Sequence, residues 1–501
     1  MNLSKSRYCK GIQCPKILWL DENKSDLRDD SVIDQRIFNI GNRVGDLAMR
    51  YFGDYAEVSY CDNKSLMIEE TKRLLDARVK TICEASFACN GNFCSVDILR
   101  VFKNRAEIIE VKSSTAVKEI YYNDMAFQYY VLSSCGLNIS KVSIMHIDNS
   151  YELQEEGALD IHSLFVIKDC TKEILALQSV VAANIERFRK IAEDDNEPVM
   201  DIGAHCYSPY ECVYSGYCWR LIPEKSIFSL SGKALRFDKK LNLYQNGIIS
   251  IEQLLKSNEK LNTSARLQAE TLAYNLLPKI DKEAIRSFIG TLDWPLYFLD
   301  FETMQEAIPV FKGTRPYMQI PFQFSLHIQK TPGSDLDHIE YLAEEGKDPR
   351  RELAQRLCRG IPEKACVIAY NIGFEKSRIK ELAGCFNDLS PHLMSIYSNI
   401  KDLMKPFQTL AYYSKDLEGS YSIKSVLPAL CRDDPELDYN ELDLVHNGGE
   451  AQIAYSRLME KDLNCEEKQK IRAALLAYCK LDTLAMVKIL EKLQKMCAEN
   501  S

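Results

Sequence analysis

Apolar side chains recur at helical spacing over residues 39–52, where Gly41, Val44, Gly45, Ala48, Met49 and Phe52 line one face, and the pattern predicts a second helix over 65–79. The period then shortens to two. Residues 80–89 (KTICEASFAC) read as a strand, Asn90-Gly91 is a hairpin-turn dipeptide, and residues 93–102 return as a second strand. A turn at Lys103-Asn104-Arg105 leads into a third strand over 106–112, an aromatic-rich helix over 119–132 and a fourth strand over 141–147. Residues 174–194 read as a helix and 203–219 as a loop carrying cysteines.

Residues 222–279 look mostly helical, and LYQNGIISI at 243–251 resembles half of a helix-hairpin-helix. From residue 296 the pattern is again that of a strand (LYFLDFET), with further strands expected around 322–329 and 338–342 and helix alternating with strand to the end. The fold class expected is α/β, divided into a first domain over 1–221, a mostly helical connector over 222–288 and a second α/β domain over 289–501. At roughly 100–200 residues per domain, a chain of 501 residues accommodates this division.

Hydrophobic residues at 46% and charged residues at 27% exclude a mainly disordered or collagenous chain. No apolar stretch approaches the roughly 18–20 residues that cross a bilayer, and MNLSKSRYC lacks an apolar signal core. A cytoplasmic protein without a membrane partner is therefore expected. The net charge of −9 argues against a basic nucleic-acid coat, yet it suits carboxylates clustered around divalent cations. Eighteen cysteines in a chain expected to be intracellular suggest metal ligation for some of them.

Three constellations carry chemistry. In the first, Glu110 and Lys112 are two apart on one strand and so share a face, and Asp97 on the neighbouring strand can face them. Two carboxylates can hold Mg²⁺ or Mn²⁺, and the lysine can stabilise charge on a phosphate. An isolated E-x-K is more often an exposed ion pair. The run VDILRVFKNRAEIIEVKSS, however, resembles the RecB-like branch of the PD-(D/E)XK nucleases, which implies that Asp97 and Glu110 bind the metal and Lys112 is catalytic. Gln128, in NDMAFQYYVL, resembles that branch's Q-x-x-x-Y motif, which contacts DNA beside the metal; the final tyrosine falls on Leu132, leaving Tyr129 or Tyr130 to substitute. GNRVGDLAMR also lacks the metal-binding histidine of many relatives, and Glu84 is expected to be structural rather than an extra acidic ligand.

In the second constellation, Cys206, Cys212 and Cys218 lie in a loop with Pro209 and Gly216 that can wrap a ligand, and three thiolates leave one position open. The resemblance supplies the fourth as Cys14, because relatives close an iron-sulfur cluster, here 4Fe-4S, with one N-terminal and three C-terminal cysteines. Tetrahedral zinc is the chemical alternative. Cys9 is a weaker candidate, and Cys61, Cys83, Cys89 and Cys94 read as strand or core cysteines.

In the third, LYFLDFET places Asp300 and Glu302 on one face of an apolar strand, where two carboxylates repel unless a cation neutralises them. VIAYNIGFEKSRI brings Asn371, Phe374 and Glu375 to a helix start, and LLAYCKLDTLAMVKIL puts Tyr478 and Asp482 at i and i+4 on one helical face. These pieces resemble the RNase H-like DEDD exonucleases of the tyrosine (DEDDy) subgroup. The resemblance implies that Asp300, Glu302, Glu375 and Asp482 bind two Mg or Mn ions and that Tyr478 orients the attacking water. Glu375 stands where aspartate is usual, and YSIKS at 421–425 matches the segment placed between the second and third motifs.

The motif order over nearly the whole chain resembles an uncharacterised bacterial family that fuses an iron-sulfur RecB-like nuclease domain to a DEDD-type exonuclease domain. It implies a metal-dependent nuclease with two phosphodiester-hydrolysing centres acting on DNA, or RNA, with single-stranded ends. A nucleic-acid-binding or redox-responsive scaffold, with a structural cluster and inactive centres, is the alternative. Lys16, Arg43, Lys72, Arg73, Lys376 and Arg378 are candidate phosphate contacts, although a solvated face explains any one of them.

Overall fold

The computed structural model describes residues 2–32, 35–432, 434, 437–460 and 463–498. The chain is α/β and divides into two compact units, Met1–Leu221 with Glu306–Met318, and Ile222–Gln305 with Gln319–Ser501. No described helix is long and apolar enough to cross a membrane.

The first unit is built on seven strands, β1 (Leu3–Ser4), β2 (Ala56–Glu57), β3 (Thr81–Cys89), β4 (Asn92–Phe102), β5 (Arg105–Lys112), β6 (Ile139–Ile147) and β7 (Phe165–Asp169). They run in the order β2-β3-β4-β5-β6-β7, with β1 paired to β4. Asn90 and Gly91 both hold positive φ, +51° and +71°, as a two-residue hairpin turn between β3 and β4 requires. The helix Glu119–Ser134 makes the crossover between the parallel strands β5 and β6. Alternation divides the strand residues between two cores: Ile82, Leu99, Ile108 and Ile144 join Phe127 and Phe188, whereas Cys83, Ile98, Ile109 and Met145 join Val44 and Phe165.

The sheet forks at its centre. The β4–β5 ladder runs from Phe102 opposite Arg105 to Ile98 opposite Ile109 and ends there. Beyond that point β4 pairs with the N-terminal β1, Leu3 opposite Asn92 and Ser4 opposite Phe93. Ser4 then accepts a hydrogen bond from the Arg7 amide and caps the helix Lys5–Gln13. Tyr8 of this helix stacks on Phe127 at 4.8 Å between ring centroids.

In the second unit, the helices Phe237–Gln245 and Ile251–Lys256 join at Asn246-Gly247, with Gly247 at φ +79° and a Ser250–Gln253 capping box. This helical segment has its own small core of Ile227, Leu235, Leu243, Ile251 and Ala269, and its contacts place it with the second unit rather than apart. A short ribbon pairs β8 (Lys279–Ile280) with the strand Tyr412–Tyr413. The main sheet comprises β9 (Leu296–Gln305), β10 (Gln319–Gln329), β11 (Leu336–Leu342), β12 (Cys366–Ala369) and β13 (Ile400–Asp402). Its order is β11-β10-β9-β12-β13, with β10 antiparallel to β9 and β11, and β12 parallel to β9 and β13. The 34-residue helix Cys465–Ala498 packs on β9 and β10. Thr483 Oγ1 lies 2.7 Å from both Ser325 Oγ and His327 Nδ1, and Gln323 donates to the Leu475 carbonyl at 2.7 Å.

Gly11 sets the seat of the N-terminal helix. A Cβ there would lie 2.7 Å from Phe188 Cδ2 and 2.9 Å from Leu18 Cδ1, and both side chains are fully buried. Overpacking of about 1–3 kcal/mol exceeds the helix-propensity gain of about 1 kcal/mol. Gly11→Ala is therefore expected to lower the denaturant midpoint of the first unit, and an unchanged or raised midpoint would show that this contact is loose.

Candidate functional site

At the fork of the first sheet, four residues of the sequence reading come together. Asp97 accepts from the Val111 amide at 2.7 Å through Oδ2, which ties the two diverging strands. Glu110, only 2% exposed, accepts from Lys112 Nζ at 2.6 Å and from Gln128 Nε2 at 2.6 Å. Two further residues, not identified from sequence, complete the cluster. Asp124 accepts from Lys112 at 2.8 Å and from Gln128 at 3.1 Å. Lys5 Nζ lies 3.1 Å from Glu110 Oε1 and 3.8 Å from both Asp97 Oδ1 and Asp124 Oδ1. The i, i+4 spacing of Asp124 and Gln128 was a readable signal. Lys5, 105 residues before Glu110, gave none.

Burial, with Asp124 and Asp97 nearby, pushes Glu110 up to about 7. Burial acts on Asp124 in the same sense, but Lys112 and Lys5 overcome it and hold Asp124 below the usual carboxylate range. Burial and then Asp97 raise Glu84 to about 7, so this residue borders the cluster. Leu132 is fully buried and Tyr129 and Tyr130 pack against the core. No described contact brings either tyrosine to the fork.

Cys14, Cys206, Cys212 and Cys218 line one small hollow, with Ile17, Leu20 and Tyr214 among its walls. Cys14 caps the helix Lys5–Gln13, and the Cys212 amide donates to the Cys206 carbonyl at 2.8 Å. Gln13 Nε2 closes the loop on the helix by donating to the His205 and Tyr210 carbonyls at 2.8 and 2.7 Å. Burial, followed by the charges of Cys14, Cys206 and Cys218, pushes the Cys212 thiol up to about 11. Burial and two of the other cysteines also raise Cys14. All four are free thiols, and this donor set fits a group that takes four thiolates. Cys9 lies outside the hollow, while Cys83 and Cys94 are fully buried core residues.

In the second unit, Asp300 and Glu302 project from β9 toward the helix Cys465–Ala498. One donor atom each from Asp300, Glu302 and Cys479 lie within 4.8 Å of one another. Cys479 Sγ is 3.7 Å from Asp300 Oδ2. Glu302, Glu375, Tyr478 and Asp482 are all buried. Burial first, then Asp482, Glu302 and Glu375, raises Asp300 well above its ordinary range. Burial and Asp482 raise Glu302 in the same way. Burial also raises Asp482, opposed by hydrogen bonds from Tyr439 and Tyr478, with Tyr439 donating at 2.5 Å. Glu375 is pushed up to about 8 by burial, with Asp402 adding to it, and its Oε2 is buried without a hydrogen-bond partner.

Sequence reading did not single out Cys479, Tyr439, Asp402 or Lys424. Lys424, within YSIKS, lies 5.2 Å over the Tyr439 ring and 5.3 Å over the Tyr478 ring, and its charge acts against the rise in Glu302 and Asp482. Four of the candidate phosphate contacts pair with carboxylates of the chain: Lys16 with Glu197, Arg43 with Glu306, Arg73 with Glu70, and Arg378 with Glu381. Lys376 lies 4.8 Å over the Tyr397 ring.

A domain of unknown function (DUF2779) matches residues 297–422, a stretch that contains Asp300, Glu302 and Glu375. The uncharacterized protein MG366 homolog of Mycoplasma pneumoniae is 29% identical over 300 residues, covering 52% of this chain and 43% of that protein. Uncharacterized protein MG366 of Mycoplasma genitalium is 25% identical over 303 residues, 55% of this chain and 44% of that protein. Uncharacterized protein UU173 of Ureaplasma parvum is 28% identical over 309 residues, 57% of this chain and 41% of that protein. The chain thus spans less than half the length of these curated relatives.

Raised carboxylate pKa values set a pH dependence of stability. A folded state that binds protons more tightly than the unfolded chain loses stability as pH rises from the unfolded carboxylate range of about 4 through the folded values. With Glu375 at about 8, that window runs from about pH 4 to 8. In chelator, the second unit is expected to unfold at lower temperature at pH 8 than at pH 5. Asp300→Asn removes one repelling charge and should recover roughly 1–2 kcal/mol at pH 8, one pKa unit being about 1.4 kcal/mol. Calorimetric scans check this, and a wild type more stable at pH 8 would contradict it.

Proposed function

We propose that the chain is a metal-dependent phosphodiester hydrolase acting on nucleic-acid ends, DNA in preference to RNA, with a PD-(D/E)XK-type centre at the fork and an RNase H-like DEDDy-type centre in the second unit. One observation carries this reading. Asp300, Glu302, Glu375 and Asp482 gather three buried carboxylates and one half-buried one, that of Asp300, from two helices and a strand against their own repulsion, and no lysine or arginine bonds to them at hydrogen-bond distance among the described contacts. Buried charges of one sign persist where cations neutralise them. The motif order and the placement of the pieces on strand, helix start and long helix support the resemblance to the DEDDy enzymes.

When bound, Mg or Mn supplies activation of a water and stabilisation of the leaving oxygen. Asp300, Glu302, Glu375 and Asp482 would hold it in the second centre, and Asp97 and Glu110 in the first. The chain's own groups position and screen. Burial, then Asp482, raises the Tyr478 phenol far above its ordinary value, so it stays protonated and donates rather than acting as a base. Tyr439 fixes Asp482 by its 2.5 Å hydrogen bond. At the fork, Asp124 and Glu110 outweigh the effect of burial on Lys112 and keep its ammonium charged, suited to stabilising a phosphate oxyanion. Gln128 orients Glu110. Cys14, Cys206, Cys212 and Cys218 would hold an iron-sulfur cluster, probed against zinc by metal analysis, as a staple between the N-terminal helix and the 206–218 loop.

A second reading, a nucleic-acid-binding or redox-responsive scaffold with inactive centres, draws on Lys5, whose ammonium stands among the carboxylates of the fork. Cleavage separates the two. Anaerobically purified protein is given end-labelled single-stranded DNA and RNA with Mg²⁺ or Mn²⁺. Lys112→Ala and Asp300→Ala are each expected to remove a distinct part of the product pattern, with the double variant at least about 10³-fold slower, the scale of losing a principal electrostatic group. A double variant indistinguishable from wild type would overturn the catalytic reading.

A further inference from the structure

We propose that Lys5 is a resident counter-ion of the carboxylate fork, which a divalent cation must displace to bind there. The inference rests on the reading of the fork as a metal centre. Lys5 Nζ approaches Glu110 at 3.1 and 3.3 Å and reaches Asp97 and Asp124 at 3.8 Å, so a single ammonium touches all three carboxylates. Lys112 already satisfies Glu110 Oε1 and Asp124 Oδ2 at 2.6 and 2.8 Å. Three carboxylates against one lysine leave two unmatched negative charges, the complement of one divalent cation. With Lys5 in place only one remains.

The backbone at Lys5 cannot drift away from the fork. The Leu3 amide donates to the Gly91 carbonyl at 2.9 Å, Ser4 pairs with Phe93, and Tyr8, one turn on, is fully buried against Phe127. The ammonium is tethered by four methylenes alone, and its side chain is 26% exposed, which gives it a route out to water. Displacement therefore needs only side-chain rotation. The competition is between a tethered monovalent cation, effectively at high local concentration, and a free divalent one. Such a lysine lowers the apparent metal affinity by occupying the ligand oxygens rather than by removing a ligand, and it adds positive charge beside the buried Glu110 while no metal is present.

The test uses the full chain carrying Asp300→Asn and Glu302→Gln, so that the second centre is silenced. Mn²⁺ binding to this background is followed by calorimetry and by loss of the free-ion paramagnetic resonance signal, with and without Lys5→Met. Lys5→Met is expected to bind Mn²⁺ at least ten-fold more tightly, and Lys5→Arg to bind no more tightly than the background. A second readout uses the unaltered Lys5: Mn²⁺ should increase its modification by an amine-reactive reagent, located by peptide mass spectrometry, as the ammonium leaves the fork. Equal or weaker binding by a folded Lys5→Met variant overturns the proposal while leaving the fork a metal centre. Should that variant unfold, unchanged or reduced Lys5 modification in Mn²⁺ overturns it instead. Absence of Mn²⁺ binding to both background and Lys5→Met would overturn the proposal together with the metal-centre reading, which distinguishes the two failures.

Discussion

Repulsion between buried carboxylates is the constraint around which both units are organised. Moving an anion out of water is costly, and placing a second beside it costs more. Each unit nevertheless assembles such a group from distant parts of the chain and then supplies partial relief. In the first unit the relief is Lys112, Lys5 and Gln128; in the second it is two tyrosine hydroxyls and the more distant charge of Lys424. The second cluster is the less compensated, and its Glu375 oxygen is buried with no partner. Proteins accept local instability of this kind where a site needs it.

The fork illustrates how backbone geometry makes room for such a cluster. An unbroken antiparallel ladder would bring β4 and β5 together along their whole length. By ending the ladder at Ile98 and Ile109, the sheet frees Asp97 and Glu110 to face a common space, while β1 and the helix behind it close the other side. That same helix begins at Lys5 and is capped by Cys14, so one element of nine residues contributes to the carboxylate fork at one end and to the four-thiol hollow at the other. Close packing at Gly11 on Phe188 and Leu18 sets its position.

Much of this was legible in the sequence. Period-two runs and Asn90-Gly91 marked β3 to β5 and their turn, the helix after them was clear, and the alternation of Asp300, Phe301 and Glu302 placed two acids on one strand face. The i, i+4 spacing of Tyr478 and Asp482 placed both on one face of a helix, which the structure extends over Cys465–Ala498. What escaped depended on contacts remote in sequence. The helix Lys5–Gln13 is short and mostly polar, with Tyr8 and Gly11 as its buried residues, so periodicity could not reveal it. β7 has five residues and a single buried side chain. Cys479 and Tyr439 acquire significance only once the helix lies on β9 and the loop before it folds back. Among the candidate cations, Lys16 and Arg43 meet acids that folding brings from afar, Glu197 and Glu306, whereas Arg73 and Arg378 pair at i, i+3 with Glu70 and Glu381 on their own helices.

The most direct test of the central idea, that these carboxylate clusters are cation sites, is a crystal soaked in Mn²⁺ with anomalous diffraction recorded at the manganese edge. The expected result is anomalous density within coordination distance of Asp300, Glu302, Glu375 and Asp482, and a second peak beside Asp97 and Glu110 with the Lys5 ammonium moved away. Ordered, unperturbed carboxylates with no anomalous density at either cluster would contradict it.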